Sequence, residues 1–143
     1  MAEMKSRSRR GAALVEFALV GALLCLLLFG IVEVGLIFSD QTQVSAAARE
    51  AVRSLSVGET TASARSRATA AGVGLSPSAT AVTLENSLNG IVWTPLSDTG
   101  SANTAPAGSL VRATVTYRHP LVTSLVFAGT TRTLTARLVM RRE

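Results

Sequence analysis

The sequence predicts an α+β protein with one long N-terminal α-helix and a domain that contains a small antiparallel β-sheet. Three observations predict it. A long apolar run follows a short basic segment, an apolar stripe at helical spacing follows that run, and beyond Pro77 apolar and polar residues alternate. A chain of 143 residues has room for one modest domain beside the apolar run.

Positive charge is concentrated at the N-terminus. Of the 14 basic residues, Lys5, Arg7, Arg9 and Arg10 precede residue 11, against the single acid Glu3. The formal net charge of +5 is therefore largely a property of this segment. Aromatic residues make up 4% of the chain and are not interleaved with a basic cluster, so we expect no nucleic-acid binding.

The apolar run is long enough to cross a membrane. No charged or strongly polar side chain occurs from Phe17 to Val32, and apolar residues continue after Glu33 to Phe38. A bilayer core of about 30 Å needs about 20 apolar helical residues. We therefore predict that residues 12–38 form a transmembrane half-helix, with Glu33 near the far interface.

The flanking charges and the glycines of this run fit a membrane helix. Basic residues before the span predict a cytoplasmic N-terminus and an extracytoplasmic segment from residue 39 to residue 143. Gly21, Gly30 and Gly35 would each weaken a helix in water by about 1 kcal/mol relative to alanine. In a membrane such residues allow helices to approach closely, so we expect them to support helix packing. A plain single-pass anchor is the simpler interpretation.

Glu16 is the one acid at the start of the span. In a first helical turn the helix dipole would stabilise a carboxylate by about 0.3–1 kcal/mol. Deeper in hydrocarbon the charge costs about 2.5 kcal/mol or more and usually has a partner. Cleavage after Gly11 would make Ala12 the first residue and would supply that partner as a new amine. Glycine lacks a Cβ and suits an extended cleavage site, although it also suits a helix boundary.

Three segments carry a family resemblance. They are GAALVEF at Gly11–Phe17, LLLFGIVEVG at Leu26–Gly35 and AAREAVR at Ala47–Arg53, and together they resemble the TadE-like pilus assembly family. The C-terminal ARLVMRRE at Ala136–Glu143 is similar more loosely, and residues 57–130 carry no motif of the family. Members of the family resemble minor pilins, or pseudopilins, of the bacterial tight adherence (Tad/Flp) pilus.

The resemblance implies a pathway for the chain. A prepilin peptidase, an aspartic membrane protease, would remove the leader of residues 1–11 between Gly11 and Ala12. Glu16, followed by Phe17, would be the assembly position that pairs with another subunit. The implied partners are the membrane, the peptidase, other pilins or pseudopilins and the pilus assembly machinery. The implied location is the bacterial inner membrane, with incorporation into the pilus.

The long helix is expected to continue outside the membrane through residues 39–57. Its apolar stripe consists of Val44, Ala47, Ala48, Ala51, Val52 and Leu55. Arg49 and Arg53 lie on the other side and are expected to be solvated. Gly58 is the predicted C-terminal cap. Residues 12–56 would then form one helix of about 65 Å that carries a domain at residues 58–143, the lollipop shape of pilin-like proteins.

A second helix and several strands are predicted in that domain. The helix runs from Thr61 to Ala71, with Ala64, Ala68, Ala71 and Leu75 on one side and with Gly72, Gly74 and Pro77 ending it. Strand signals are Val82 with Leu84; Ile91, Val92 and Trp93 after the turn dipeptide Asn89-Gly90; Val111, Ala113, Val115 and Tyr117; and Leu134, Ala136, Leu138 and Met140. Residues 97–108 are predicted to be a flexible loop. Three or four antiparallel strands would cover the outer half of the long helix.

The segment Leu121–Phe127 allows two interpretations. After the strand break at Pro120 it would form a short buried helix or loop, or else an apolar patch that faces the membrane or another pilus subunit.

No residue pattern indicates an enzyme. The single cysteine, Cys25, excludes an intrachain disulfide and a cysteine-based zinc site. His119 is the only histidine and stands next to Pro120 at a strand end, where a turn role is expected. Acids at metal-site or acid–base spacing, a phosphate loop and a G-x-S-x-G motif do not occur. We expect no catalytic residue, cofactor, metal or small-molecule substrate.

The sequence allows three alternatives to a Tad pseudopilin. The chain could be an unprocessed single-pass anchor with an extracytoplasmic binding module, or a pseudopilin of a type II secretion-like system. It could also be a secreted protein cut near Ala46–Ala48, although the apolar run is long for an ordinary signal peptide and ends far from those small residues.

Overall fold

A computed structural model describes the backbone of residues 2–122 and 129–143, and side chains from Gly11 onward within those ranges. Its dominant element is a single uninterrupted helix, α1 (Ala2–Ser56), of 55 residues and about 80 Å. The helix begins ten residues before the predicted start at Ala12. Gly11 is helical in this chain because one glycine costs only about 1 kcal/mol within a run of good helix formers.

The end of α1 confirms the predicted cap. Gly58 has a φ of +86°, and its N–H donates to the Leu55 carbonyl at 3.1 Å. The N–H of Glu59 donates to the Ser54 carbonyl at 3.1 Å. These two bonds form a Schellman motif, which satisfies carbonyls that the last helical turn leaves open. The chain can therefore turn back sharply toward α1.

The second helix, α2 (Thr61–Ala71), has the predicted bounds and lies against α1. The Thr60 side chain accepts from the Ser63 N–H at 3.1 Å and caps its first turn. Ala64 and Ala68 are buried, as predicted, and their small side chains allow the two helices to approach closely. A 3₁₀ turn at Pro77–Ala79 leads from α2 into the sheet.

The main sheet has four antiparallel strands in the order β2-β1-β5-β6. They are β1 (Thr80–Ser87), β2 (Thr94–Pro95), β5 (Leu110–Pro120) and β6 (Thr131–Arg141). The long strands β5 and β6 lie against α1. The predicted sheet over the outer half of the long helix is therefore confirmed.

The core lies between this sheet, α2 and residues 44–55 of α1. All six predicted stripe residues of α1 are at most 2% exposed, whereas Arg49 and Arg53 are exposed as expected. The inward positions of β5 are also buried as predicted. The core consists of Val44, Ala47, Ala48, Ala51, Val52, Leu55, Ala64, Ala68, Leu75, Leu84, Leu96, Ala105, Val111, Ala113, Val115, Tyr117 and Leu134.

One predicted detail of the strands is wrong. Ile91, Val92 and Trp93 are not in a strand, and the hairpin returns only at β2. The Asn89 side chain accepts from the N–H groups of Ile91 and Val92 at 2.9 and 3.1 Å, which offers this backbone an alternative to strand pairing. Met140 lies opposite the buried Val111, as the alternation of β6 predicts, but is 43% exposed because β6 is the edge strand.

The predicted flexible loop at residues 97–108 contains a small hairpin, β3 (Asp98–Thr99) and β4 (Ala102–Asn103). The Asn103 side chain is buried and donates to the carbonyls of Leu55 and Glu59 at 3.2 and 2.7 Å. Asp98 accepts from the N–H and hydroxyl of Thr61 at 2.6 and 2.8 Å. These polar side chains attach the segment to the end of α1 and the start of α2, and Ala105 joins it to the apolar core.

The two interpretations of Leu121–Phe127 concern residues that are mostly outside the described part of the chain. Within it, β5 ends at Pro120 as predicted, Leu121 is half-buried and Val122 is 75% exposed.

Candidate functional site

The most conspicuous surface of the molecule is the apolar part of α1 from Gly11 to Phe38. Large apolar side chains are exposed on every side of the helix there. They are Leu14, Val15, Phe17, Leu19, Val20, Leu23, Leu24, Leu26, Leu27, Leu28, Phe29, Ile31, Val32, Val34, Leu36 and Phe38. The most apolar window has a mean hydropathy of 2.6 and none of it is buried. A helix that is apolar all round and uncovered has the composition and length of a membrane span.

Glu16 is the only charged residue on this apolar surface before Glu33. It is exposed on α1 and makes no hydrogen bond or ion pair with any described residue. Phe17, beside it, is 75% exposed. Gly11 and Ala12 lie just over one helical turn before Glu16. The structure thus places the predicted cleavage and pairing residues together at one end of the apolar surface.

The three glycines of the span leave open surface on two sides of the helix. A Cβ added at Gly21, Gly30 or Gly35 would meet no atom within 4 Å. At about 100° per residue, Gly21 and Gly35 lie within about 40° of each other, while Gly30 lies opposite Gly21. Folding of this chain alone therefore does not require glycine at these positions. They provide two flat places where another helix could approach.

At the other end of the span, Glu33 is a buried acid that attaches α1 to the sheet. Its side chain is 1% exposed, and both carboxylate oxygens lie 3.1 Å from the Val122 N–H. The sequence predicts this acid near the membrane interface but does not indicate a partner for it. One of its partners, the Val122 N–H, lies two residues beyond the end of β5 and 89 residues further along the chain.

His119 lies between Glu33 and a second acid of α1, Asp40. The His119 Nδ1 is 2.6 Å from Asp40 Oδ2, and its Nε2 is 3.5 Å from Glu33 Oε1. Because a carboxylate only accepts, the ring donates from Nδ1 to Asp40. The side chain is 6% exposed. The expected turn role of His119 is therefore wrong: it is an interior contact between β5 and α1.

The sequence did contain a signal for this cluster of Glu33, Asp40 and His119. His119 continues the inward alternation of β5 from Val111 to Tyr117. Glu33 and Asp40 are seven residues apart, which places them on the same face of α1 as the buried Val44. Local pattern alone could not show which acid the histidine meets.

The cluster lacks the geometry of a metal site. The two acids approach different nitrogens of the His119 ring, so a single ion could not bind the imidazole and both carboxylates. Within residues 11–122 and 129–143, no three histidine, cysteine or acidic side chains are placed to hold a metal ion.

A second polar cluster fixes the far end of the domain. Glu59 accepts from the hydroxyls of Ser63 and Ser54 at 2.6 and 2.7 Å and from the Arg67 guanidinium at 2.8 and 2.9 Å. These bonds, with Ser63 contributing most, lower the pKa of Glu59 from 4.5 to about 2. The same pairing raises the pKa of Arg67. The cluster connects α2 to the end of α1 and is structural.

Comparison with known families locates the match on the long helix. Residues 11–53 match the family model described as TadE-like protein. This segment is TadE-like. The match begins at Gly11, where the exposed apolar surface begins, and ends at Arg53, near the end of the sheet-packed half of α1. No curated protein and no solved structure matched the chain.

The TadE-like match is confined to α1. It covers the apolar surface, Glu16, the three glycines and two of the three cluster residues, Glu33 and Asp40. His119 and the rest of the sheet lie outside it. The family-like part of this chain is thus the helix, and the sheet domain is what the helix carries.

Proposed function

We propose that this chain is a pseudopilin, or minor pilin, of a Tad/Flp pilus. A prepilin peptidase cleaves it after Gly11, the residue 12–38 segment holds it in the inner membrane, and Glu16 directs its incorporation into the pilus. The supporting observation is an exposed apolar helix of bilayer length with one carboxylate, Glu16, that has no partner among the described residues and would be the fifth residue of the cleaved chain. The role is structural rather than catalytic.

The length of the apolar surface agrees with a single membrane crossing. From Ala12 to Val32 the helix rises about 31 Å, close to the thickness of the hydrocarbon core. The domain begins to contact α1 at Glu33, just beyond that length. With the basic segment on the cytoplasmic side, the sheet domain is extracytoplasmic.

Glu16 supports assembly because the energetic cost of its charge in the membrane falls when an amine pairs with it. As a lone charge in hydrocarbon it costs about 2.5 kcal/mol or more. An amine at Ala12 of a neighbouring subunit would remove that cost, since opposite charges in a low-dielectric environment attract strongly. This pairing therefore favours transfer of the span from lipid into a bundle of helices. Gly21, Gly30 and Gly35 would let neighbouring helices approach closely.

Gly11 supports cleavage although it is helical in the uncut chain. A protease must unwind the helix locally to reach the bond between Gly11 and Ala12. Glycine lowers the cost of that unwinding, because it is the residue that a helix stabilises least after proline. Basic residues before it would keep the leader at the cytoplasmic surface.

The test is Glu16→Gln in cells that assemble the pilus. We expect the leader to be removed as in the unmodified protein and the amount in sheared pili to fall by about tenfold or more, which corresponds to a loss of at least about 1.4 kcal/mol. Glu50→Gln, on the same helix but outside the span, is the matched control and should incorporate normally. Normal incorporation of Glu16→Gln would contradict the pairing role.

A further inference from the structure

The end of the sheet nearest the span forms a distinct edge, which we call the proximal rim and define as Arg118, Val122 and Arg132. The bond from the Val122 N–H to both oxygens of Glu33 fixes the height of the rim along α1. Strand register places Arg132 opposite His119, so both arginines stand within a few residues of the same edge. The rim is therefore at the level of Glu33.

Exposed apolar surface on α1 continues beyond that level. Val34, Leu36 and Phe38 are 41%, 42% and 68% exposed. Phe38 lies about 7.5 Å beyond Glu33 along the helix axis. The headgroup region on one side of a bilayer is about 5–8 Å thick. If the exposed apolar side chains are covered by lipid, the proximal rim lies at headgroup depth.

The chemistry of the rim suits that depth. Val122 is 75% exposed and apolar. Arg118 and Arg132 are exposed and make no hydrogen bond or ion pair with any described residue. An arginine guanidinium matches the geometry of a phosphate, and its long stem can lie along apolar surface. By contrast, the Glu33 carboxylate at this level is 1% exposed and so is withheld from lipid.

We propose that the proximal rim binds the phospholipid headgroups of the leaflet on the domain side. Val122 enters the interface, and Arg118 and Arg132 bind lipid phosphates. The domain then rests on the membrane surface at a fixed height rather than standing free of it. This contact would exist in the cleaved and the uncleaved chain alike, and it goes beyond the pseudopilin assignment because it uses the sheet domain, which lies outside the TadE-like match.

Labels at the two ends of the domain test this contact in the full chain, reconstituted in mixed phosphatidylcholine–phosphatidylglycerol vesicles. A fluorophore on Val122→Cys in a Cys25→Ser background should be quenched by a headgroup-attached quencher and protected from a water-soluble one. Leu88→Cys is the matched control, since Leu88 is 79% exposed and directly follows β1 at the end of the sheet away from the proximal rim. Equal aqueous quenching at both positions would overturn the proposal.

A charge reversal tests the arginines. Arg118→Glu with Arg132→Glu should shift the Val122 label toward water, with a loss of headgroup quenching. Arg137→Glu is the control, because Arg137 is exposed on β6 but lies five residues beyond Arg132. An equal response of the two variants would refute phosphate binding by the rim.

A label on the native Cys25 shows whether the chain has inserted. Quenching of this label from the acyl chains is expected, and its absence would refute the span and the rim contact together. Neither cleavage after Gly11 nor entry into a pilus is measured here. A failure of the rim contact alone would therefore leave the proposed function standing.

Discussion

His119 Nδ1 lies 2.6 Å from Asp40 Oδ2, and this bond joins the end of β5 to α1 where the helix leaves its apolar half. Two helical turns before Asp40, on the same face of α1, Glu33 accepts a hydrogen bond from the backbone N–H of Val122. The sheet is thus attached to the helix at its proximal end by buried polar groups, and along residues 44–55 by apolar packing. Because hydrogen bonds are directional, these contacts fix the orientation of the sheet relative to α1 as well as its distance from the helix.

The first prediction concerns this attachment. Asp40→Ala should lower the free energy of unfolding by about 1–3 kcal/mol, because it leaves the buried His119 nitrogen without its acceptor. Thermal or chemical unfolding of the full chain in detergent micelles measures the change. Arg49→Ala, on the exposed face of the same helix, should stay within about 0.5 kcal/mol of the unmodified protein. A similar small effect for Asp40→Ala would mean that the bond does not stabilise the fold.

The second prediction concerns Asn103, which joins the β3–β4 hairpin to the end of α1. Its side-chain amide donates to two carbonyls and its oxygen accepts from the Ala105 N–H at 3.1 Å. Asn103→Ala should destabilise the protein by about 1–3 kcal/mol through the groups left unpaired. Ser101→Ala, in the exposed turn of the same hairpin, is the control. If both variants unfold alike, the hairpin is not held by this side chain.

The third prediction concerns pH. The pKa of Glu59 is about 2 in the folded protein against 4.5 ordinarily, so its carboxylate stabilises the fold fully above about pH 4.5. That contribution should be lost as the pH falls from 4.5 toward 2. Ser63→Ala removes the largest cause of the shift and should reduce the loss of thermal stability over this window. Ser66→Ala, on the exposed side of α2, should not. Identical pH profiles for the two variants would contradict the account of Glu59.

The pattern of apolar residues in the sequence predicted those helices and strands whose buried face is determined by apolar packing. The stripe from Val44 to Leu55 and the alternation from Val111 to Tyr117 each identified a buried face, because a helix or strand that buries one face repeats its apolar residues with the period of its backbone. Gly58 was predictable for a local reason as well, since a positive φ after a helix favours glycine.

Elements determined by polar side chains were mispredicted or missed. Asn89 closes the β1–β2 turn with its own side chain and keeps Ile91 and Val92 out of the strand. Asn103 orders a segment that its composition marks as a loop. Glu33 and His119 each stand out as single residues in the sequence, but their partners Val122 and Asp40 lie 89 and 79 residues away. A sequence shows that a buried polar group needs a partner, but not which residue supplies it.

Cleavage after Gly11 is the central claim, because it creates the amine with which Glu16 is proposed to pair. The most direct measurement is the intact mass of the protein extracted from the membrane of its host. A mass that corresponds to a chain beginning at Ala12, with or without a methyl group on its amine, is the predicted result. A chain beginning at Met1 or Ala2 would contradict it and favour an uncut anchor, whereas a start near Ala47–Ala48 would indicate secretion.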